Sequence, residues 1–202
     1  DSVSGKYVLF DLPGQVELFS HHESLKNIIH VLRVELGFQV VLSDTQRVQM
    51  VAVHMADSHH CGDASKFLSV VLLSLSVMMH LELPHVNVLS KIDAIEAGGP
   101  LAFGLDFYTE ARELSQLVRS MAPDEPVATA SVQKETSLAD RWNSRHRKLC
   151  GLIAEVIEDF GLVNFVPLTV LEKESMFEMV QVTDRAIGYF KTDYSSTEST
   201  YS

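Results

Sequence analysis

Hydrophobic and polar positions along the chain follow two periods. Short runs rich in β-branched and aromatic residues are typical of strands, and longer segments repeat apolar residues every three or four positions, as helices do. The predicted strands are 7–10, 50–56, 85–89 and 163–168, and the predicted helices are 16–35, 64–82, 105–120, 143–160 and 172–187. Strands that alternate with helices are typical of parallel βαβ units, so the pattern predicts an α/β fold. We expect Asp63 to cap the second helix and Gly161 to end the fourth.

The first predicted strand, Tyr7–Phe10, runs into a turn whose residue types suit phosphate chemistry. It is followed by Asp11, Leu-Pro, Gly14 and Gln15. A carboxylate at the carboxyl end of a strand can hold Mg²⁺ through a water molecule, so Asp11 is the candidate metal residue. Gly14 has no side chain to shield its N–H from a γ-phosphate, and Gln15 can orient an attacking water. Asp11 and Gln15 are therefore the candidate catalytic residues, and a buried strand that ends at an ordinary turn is the alternative.

The third predicted strand ends in Ser90-Lys91-Ile92-Asp93, a pattern that suits guanine. The Asp93 carboxylate can accept hydrogen bonds from the ring N–H and the exocyclic amine of guanine, a pair of donors that adenine lacks. The alkyl stem of Lys91 can lie over the base plane. The commoner form of this motif begins with Asn instead of Ser90, and S-K-x-D alone could be a helix N-cap. Its position after D-L-P-G-Q favours a guanine site formed by Ser90, Lys91 and Asp93.

Together the motifs resemble the GPN-loop GTPases, and in particular their GPN-loop GTPase 2 branch. The resemblance runs from about Tyr7 to Tyr189, and the separated motifs occur in the order of the family. The matching segments are 10–18 with His21 and His22, 52–59, 83–93, 101–103 and 165–168. The resemblance implies a P-loop NTPase-like three-layer fold with a mostly parallel sheet.

The resemblance also implies ligands and partners. Members of the family bind GTP or GDP with Mg²⁺, and they form a homodimer or a heterodimer with another GPN-loop GTPase. They act in assembly and nuclear import of RNA polymerase complexes, with polymerase subunits or assembly factors as partners. The expected location is therefore the cytoplasm, with shuttling to the nucleus.

Two family motifs do not occur in these 202 residues. There is no G-x-x-x-x-G-K-[ST] sequence, whose backbone N–H groups and Lys would bind the β- and γ-phosphates. Ser4-Gly5-Lys6 does not replace it, because it precedes a predicted strand and lacks the upstream glycine. The Gly-Pro-Asn sequence that names the family is also absent. We therefore expect a GTPase truncated at its N-terminus that is itself inactive.

Composition narrows the remaining possibilities. With 46% hydrophobic residues the chain can bury one sizeable core, and its net charge of −11 argues against direct nucleic-acid binding. Two cysteines fit a reducing compartment, and the longest apolar run, 70–79, is too short to cross a membrane. The expected organisation is a partial GTPase domain over 1–190, with insertions near 39–49 and 122–140, and a disordered tail over 191–202.

Two classes of function remain open. In the first, the protein is a GTP-binding and GTP-hydrolysing switch. In the second, it is a non-hydrolysing interaction module that keeps a dimer or client surface without the phosphate-binding loop. The apolar face of the helix 65–82 fits a hydrophobic core, and a groove for a partner peptide is the alternative.

Overall fold

The computed structural model describes residues 7–35, 49–95, 101–120 and 138–189. Within them, three parallel strands form one sheet in the order β1-β2-β3. The strands are β1 (Ala52–Asp57), β2 (His85–Ser90) and β3 (Phe165–Leu168). The helices are α1 (Val16–Ser20), α2 (Glu23–Glu35), α3 (Ala64–Leu81), α4 (Leu105–Glu110), α5 (Leu114–Ser120), α6 (Leu138–Phe160) and α7 (Lys173–Ala186).

The central strand β2 is buried on both faces. Its four inner residues, 86–89, are at most 5% exposed. A parallel strand covered by helices on both sides has this nearly continuous apolar character, which is why the sequence pattern identified it. Asp57 of β1, Ser90 of β2 and Leu168 of β3 lie in register, so the three carboxyl ends meet at one edge of the sheet.

One face of the sheet is covered by α3, which is the central helix of the main core. Phe67 and Val71 of α3 are fully buried, and they belong to the same cluster as Tyr108, Leu114 and Phe165. By length and composition α3 also meets the criteria for a membrane span, which core helices of soluble proteins meet as well. Its contacts with the sheet, α5 and α6 make it a core helix here. The prediction for 64–82 is confirmed.

The opposite face is covered by α7. Val86, Val88 and Leu168 of the sheet form a second cluster, against which Met176 and Met179 of α7 pack. Helices α1 and α2 lie beside the carboxyl-terminal half of α3. Helices therefore enclose the sheet on two sides, and the predicted three-layer α/β architecture is confirmed.

The caps predicted for two helices are also confirmed. The Asp63 carboxylate accepts hydrogen bonds from the N–H groups of Ser65 and Lys66, at 2.9 and 3.1 Å, and so caps the start of α3. Gly161 follows α6 with a φ of +55°, the left-handed conformation that glycine adopts without strain, and its N–H donates to the carbonyl of Ile157.

Several predicted boundaries are wrong, each for a local reason. Helix 16–35 is divided at His21 and His22, and the His22 ring accepts a hydrogen bond from the Ser24 N–H at the start of α2. Helix 105–120 is divided because Ala111 and Glu113 take left-handed conformations, at φ values of +47° and +58°. Helix α6 begins at residue 138, five residues earlier than predicted, so the last residues of the expected insertion 122–140 are helical.

The predicted strand 7–10 is not formed. Tyr7–Phe10 has neither helical nor strand structure, and its four side chains are at least half exposed. Strands require a hydrogen-bonding neighbour, and none of the described strands pairs with this segment. Most of the expected insertions near 39–49 and 122–140, and the whole tail 191–202, lie outside the described residues.

Candidate functional site

Polar side chains gather where the three strands end. Asp57 is the last residue of β1, Ser90 is the last residue of β2 and is followed by Lys91, and Thr169 directly follows β3. Asp93 lies in a short 3₁₀ turn, Ile92–Ala94, just after β2. In open parallel sheets this edge is the usual place for ligands, because successive loops leave the sheet there and expose their backbone and polar groups.

Two serines join the ends of β1 and β2. The Ser90 hydroxyl donates to the carbonyl of Ala56 at 2.9 Å, and the Ser58 hydroxyl donates to the carbonyl of Lys91 at 2.7 Å. Lys91 has a φ of +60°, a conformation unusual for a residue with a side chain. The bonds from Ser58 and Ser90 hold the chain at this turn. Ser90 does not cap a helix, so the N-cap alternative is wrong.

Lys91 forms an ion pair with Asp57 across this edge. Its ammonium lies 2.7 Å from Asp57 Oδ2, while Asp57 Oδ1 accepts a hydrogen bond from the N–H of His59 at 2.9 Å. The hydrogen bond from Lys91, reinforced by that from His59, lowers the pKa of Asp57, and the same pairing raises the pKa of Lys91. Because both side chains are substantially exposed, the pair orients Lys91 more than it stabilises the fold.

Asp93 is held by a residue from the third strand end. The Thr169 hydroxyl donates to Asp93 Oδ1 at 2.9 Å, and Thr169 itself is 3% exposed. The Thr169 N–H donates in turn to the Ser175 hydroxyl at the start of α7. Asp93 is exposed, and no hydrogen bond or ion pair to its Oδ2 occurs within the described residues. The carboxylate is therefore fixed through one oxygen and open to solvent through the other.

The residues of the first motif, D-L-P-G-Q at 11–15, lie in a different setting from the polar residues at the strand ends. Asp11, Gly14 and Gln15 are exposed and precede α1, and Gln15 occupies the N-cap position with no side-chain hydrogen bond to the helix. A Cβ added at Gly14 would meet nothing within 4 Å. In the part of the chain that the structure describes, no hydrogen bond or ion pair joins these residues to Asp57, Lys91 or Asp93.

The chemistry of Asp11 suits the predicted metal. An exposed carboxylate without a partner among the described residues is a ligand type that Mg²⁺ accepts, directly or through water. When bound, Mg²⁺ would neutralise phosphate charge.

The structure thus places Ser90, Lys91 and Asp93 of the second motif at one edge of the sheet, and it adds two residues that contact them. Asp57 and Thr169 were not among the predicted site residues, although each is a polar residue at the end of an apolar strand. The same signal identified Ser90, Lys91 and Asp93. If it had been applied to β1 and β3 as well, it would have identified Asp57 and Thr169. The role of Thr169 as a donor to Asp93 depends on the sheet order and is not visible in the sequence.

Comparison with known proteins identifies the same family as the sequence motifs. A family model described as "Conserved hypothetical ATP binding protein" matches residues 1–189. The chain is 46% identical to GPN-loop GTPase 2 of Danio rerio over 183 residues, which cover 91% of this chain and 50% of that protein. The chain belongs to the GPN-loop GTPase 2 family.

Other relatives extend this family to plants and fungi. The chain is 43% identical to GPN-loop GTPase QQT1 of Arabidopsis thaliana, covering 91% of this chain and 53% of the relative. It is 38% identical to GPN-loop GTPase 2 of Saccharomyces cerevisiae, covering 91% and 46%. The chain therefore spans about half the length of these GPN-loop relatives. The family assignment made from the sequence is confirmed.

Proposed function

We propose that this chain carries the base-recognition part of a guanine-nucleotide site, within a GTP-binding and GTP-hydrolysing switch of the GPN-loop family. The observation that carries the proposal is the Asp93 carboxylate, oriented at Oδ1 by Thr169 and open at Oδ2. A carboxylate in this state accepts two N–H donors arranged side by side. Guanine presents such a pair, and adenine does not.

Lys91 completes the base site. Its ammonium is tethered to Asp57 at the end of β1, which limits the positions of its alkyl stem at the carboxyl edge of the sheet, where Asp93 also lies. An apolar stem over a planar base shields one face of the base from water. Ser58 and Ser90 act indirectly, by holding the turn that presents Lys91.

The phosphate end of the site is proposed from the first motif. Asp11 would bind Mg²⁺ through water, the Gly14 N–H would contact the γ-phosphate, and Gln15 would orient the attacking water. All three are exposed and close together in sequence, which leaves them accessible to a triphosphate. Since the 202 residues contain no G-x-x-x-x-G-K-[ST] sequence, most phosphate contacts are missing from them. The chain by itself should bind GTP weakly and hydrolyse none.

Saturation-transfer NMR suits such weak binding. The 202-residue chain is titrated with Mg²⁺ and with GTP, ITP or ATP, where ITP lacks the exocyclic amine and ATP lacks both donors. Expected affinity falls in the order GTP, ITP, ATP, since each lost donor leaves a carboxylate oxygen unpaired. Equal binding of GTP and ATP would contradict a guanine site. Hydrolysis by the chain alone would contradict the proposed dependence on a phosphate-binding loop.

A non-hydrolysing interaction module is the second candidate. It is favoured by the apolar side chains of Tyr7–Phe10, which are at least half exposed. If a protein as long as the GPN-loop relatives binds GTP but does not hydrolyse it, that result would support the interaction module over the switch.

We also propose partners and a cellular role for a protein that contains this chain and is as long as the GPN-loop relatives. It would pair with itself or with another GPN-loop GTPase, and it would act in the cytoplasm and nucleus in assembly and import of RNA polymerase complexes. The support is family membership together with exposed apolar surface suited to protein contacts. Recovery of polymerase subunits with the tagged protein in GTP, and their loss in an Asp93→Asn variant, would test this role.

A further inference from the structure

Three polar side chains of the sheet, His54, His85 and Asn87, lie on the face that α3 covers, and we name them the histidine cluster. His54 of β1 pairs in register with Asn87 of β2, and His85 lies two residues before Asn87 on the same strand. Because side chains alternate along a strand, all three share one face. Ser74 and Met78 of α3 contact His54 and Asn87 there. The cluster lies in the amino-terminal half of the sheet, away from the candidate nucleotide site.

The histidine cluster contains buried polar atoms that the fold leaves unpaired. Neither ring nitrogen of His85 has a hydrogen-bond partner within the described residues, and the same holds for Oδ1 of Asn87. Asn87 is 3% exposed, so water does not reach its amide freely. Buried polar atoms without partners are costly, and a ligand that satisfies several of them at once would be bound favourably.

Hydrogen bonds from α3 orient two of these side chains. Asn87 Nδ2 donates to the Met78 sulfur at 3.6 Å, which leaves Oδ1 for another partner. His54 Nδ1 lies 3.1 Å from the Ser74 hydroxyl oxygen, which leaves Nε2 as the second ring nitrogen. Histidines that bind metals commonly have this arrangement, with one nitrogen on the ion and the other in a hydrogen bond.

The two rings are separated by a distance that one metal ion can span. The ring centroids of His54 and His85 lie 6.1 Å apart. A ring nitrogen lies about 2.0 Å from a bound first-row metal ion, which puts the ring centroid about 3.2 Å from the ion. Two rings on one ion are therefore separated by at most about 6.4 Å, and by about 5.2 Å in a tetrahedral site. The observed separation fits a wide angle at the ion, which is typical of sites with few ligands.

Both rings are in the protonation state that a metal ion requires. Burial lowers the pKa of His54, and burial together with the charge of His54 lowers the pKa of His85 to about 4. The Asn87 amide has a smaller, opposite effect on both rings, which shows that it lies beside them. Neutral imidazoles offer a lone pair, so an ion can bind at neutral pH without displacing a proton.

The donor types indicate which ion fits. Within the described residues there is no group of three or more His, Cys, Asp or Glu side chains such as a zinc site uses. The histidine cluster offers two imidazoles and an amide oxygen, with the Met78 thioether nearby, and all of these donors are neutral. A buried divalent charge would therefore have no counter-charge. Imidazole and thioether donors suit the soft monovalent ion Cu⁺.

We propose that the histidine cluster is a Cu⁺ site, in which His54 and His85 each bind the ion through one ring nitrogen and Asn87 Oδ1 lies beside it. The ion would join β1 to β2 and bind only the folded arrangement of the two strands, so it would stabilise the chain. The site is separate from Asp93 and does not depend on the proposed function.

Anaerobic competition of the whole 202-residue chain with bicinchoninate, a coloured Cu⁺ chelator, tests this site. The background carries Cys61→Ala and Cys150→Ala, because thiols also bind Cu⁺. It should bind one Cu⁺ per chain, and His54→Gln or His85→Gln should each lower the affinity at least roughly tenfold. His59→Gln, at an exposed histidine outside the cluster, is the matched control and should leave the affinity unchanged.

X-ray absorption at the copper edge, recorded on the unsubstituted chain with less than one equivalent of Cu⁺, needs no variant to fold. It should show two imidazole nitrogens at about 2.0 Å from copper. Coordination by sulfur alone or failure to retain Cu⁺ against the chelator would overturn the proposal. Unchanged affinity in His85→Gln, or Zn²⁺ binding as tight as that of Cu⁺, would overturn it as well.

Discussion

The Thr169 hydroxyl donates a hydrogen bond to Asp93 Oδ1 at 2.9 Å, across 76 residues of sequence. It links the end of β3 to the turn after β2, and Thr169 is almost fully buried while Asp93 is exposed. A buried donor thereby fixes the direction of a solvent-facing carboxylate. Pre-orientation of this kind lowers the cost of ordering the carboxylate when a ligand binds.

We expect Thr169→Val to reduce both stability and base selectivity. The variant keeps the shape of the side chain but removes the hydroxyl, which should lower the free energy of unfolding by about 1–2 kcal/mol. Asp93 would then sample several rotamers, and the preference for GTP over ATP should shrink. Urea denaturation and nucleotide titration measure the two effects.

Thr183→Val is the matched control for this change. The Thr183 hydroxyl donates within α7 to the carbonyl of Met179 at 2.8 Å, away from the strand ends. Its loss should leave selectivity unchanged. If Thr169→Val alters stability alone, in the same way as Thr183→Val, then Thr169 has no role in positioning Asp93.

The ion pair between Lys91 and Asp57 predicts a titration change. The hydrogen bond from Lys91 is the largest cause that lowers the pKa of Asp57 below its ordinary value of 3.8. In Lys91→Met the pKa of Asp57 should therefore rise. The stability that the pair contributes is present above the pKa of Asp57 in the unfolded chain, and it is lost as the pH falls through the lower folded value. Carbon-detected NMR of labelled Asp reports this shift, and an unchanged pKa would mean that the pair does not form in solution.

Burial of His85 predicts a loss of stability in mild acid. Desolvation, helped by the neighbouring charge of His54, lowers the pKa of His85 from 6.5 to about 4. The folded chain keeps this ring neutral, whereas the unfolded chain binds a proton below pH 6.5. Stability should therefore fall between pH 6.5 and 4, by at most about 1.4 kcal/mol per pH unit from this residue.

Urea midpoints measured from pH 7.5 to 4.5 follow this effect. His85→Phe removes this titrating group and should make the fall shallower over that range, and the remaining slope comes in part from His54, whose pKa burial also lowers. His59→Phe, at an exposed position after the carboxyl end of β1, at the opposite edge of the sheet from His85, should leave the curve as it is. Parallel curves for the wild type and His85→Phe would show that the ring is not buried as described.

Tyr7 provides a test of how the first motif is anchored. Its hydroxyl donates to both oxygens of the Asp184 carboxylate on α7, at 2.8 and 3.0 Å, and Asp184 is 2% exposed. Tyr7→Phe should lower the free energy of unfolding by about 1 kcal/mol or somewhat more, because a charged acceptor loses a donor. Tyr189→Phe, an exposed tyrosine near the end of the same helix, is the control. Equal unfolding free energies in the two variants would contradict the anchoring.

The sequence predicted most of the fold because its patterns reflect burial. The pattern at Val86–Leu89 predicts a buried strand, and the structure has one there. Asp63 is predicted to cap a helix, and it caps α3. The pattern failed at Tyr7–Phe10, whose apolar residues fit a strand but have no strand partner among the described residues. It also failed at Ala111, where a left-handed backbone divides an otherwise helical pattern.

The candidate site was predictable in its chemistry and less so in its geometry. Lys91 and Asp93 were identified because strand ends in α/β folds carry ligand-binding residues. Their partners are Asp57, at the end of β1, and Thr169, just after β3, which lie 34 and 76 residues away in the sequence, respectively. Such pairings depend on sheet order and register, which local sequence patterns do not encode.

The measurement that tests the guanine site most directly is a change of base preference in Asp93→Asn. The amide presents one acceptor and one donor in place of two acceptors, so the exocyclic amine of guanine would face a donor. Xanthine carries a carbonyl at that position, which would accept a hydrogen bond from the amide N–H of the variant side chain. We expect GTP affinity to fall by about 2–3 kcal/mol, and XTP affinity to rise above that of GTP. Asp106→Asn, at an exposed position in α4, should keep the preference for GTP. If Asp93→Asn binds GTP as the wild type does, and XTP no better, then Asp93 does not read the base.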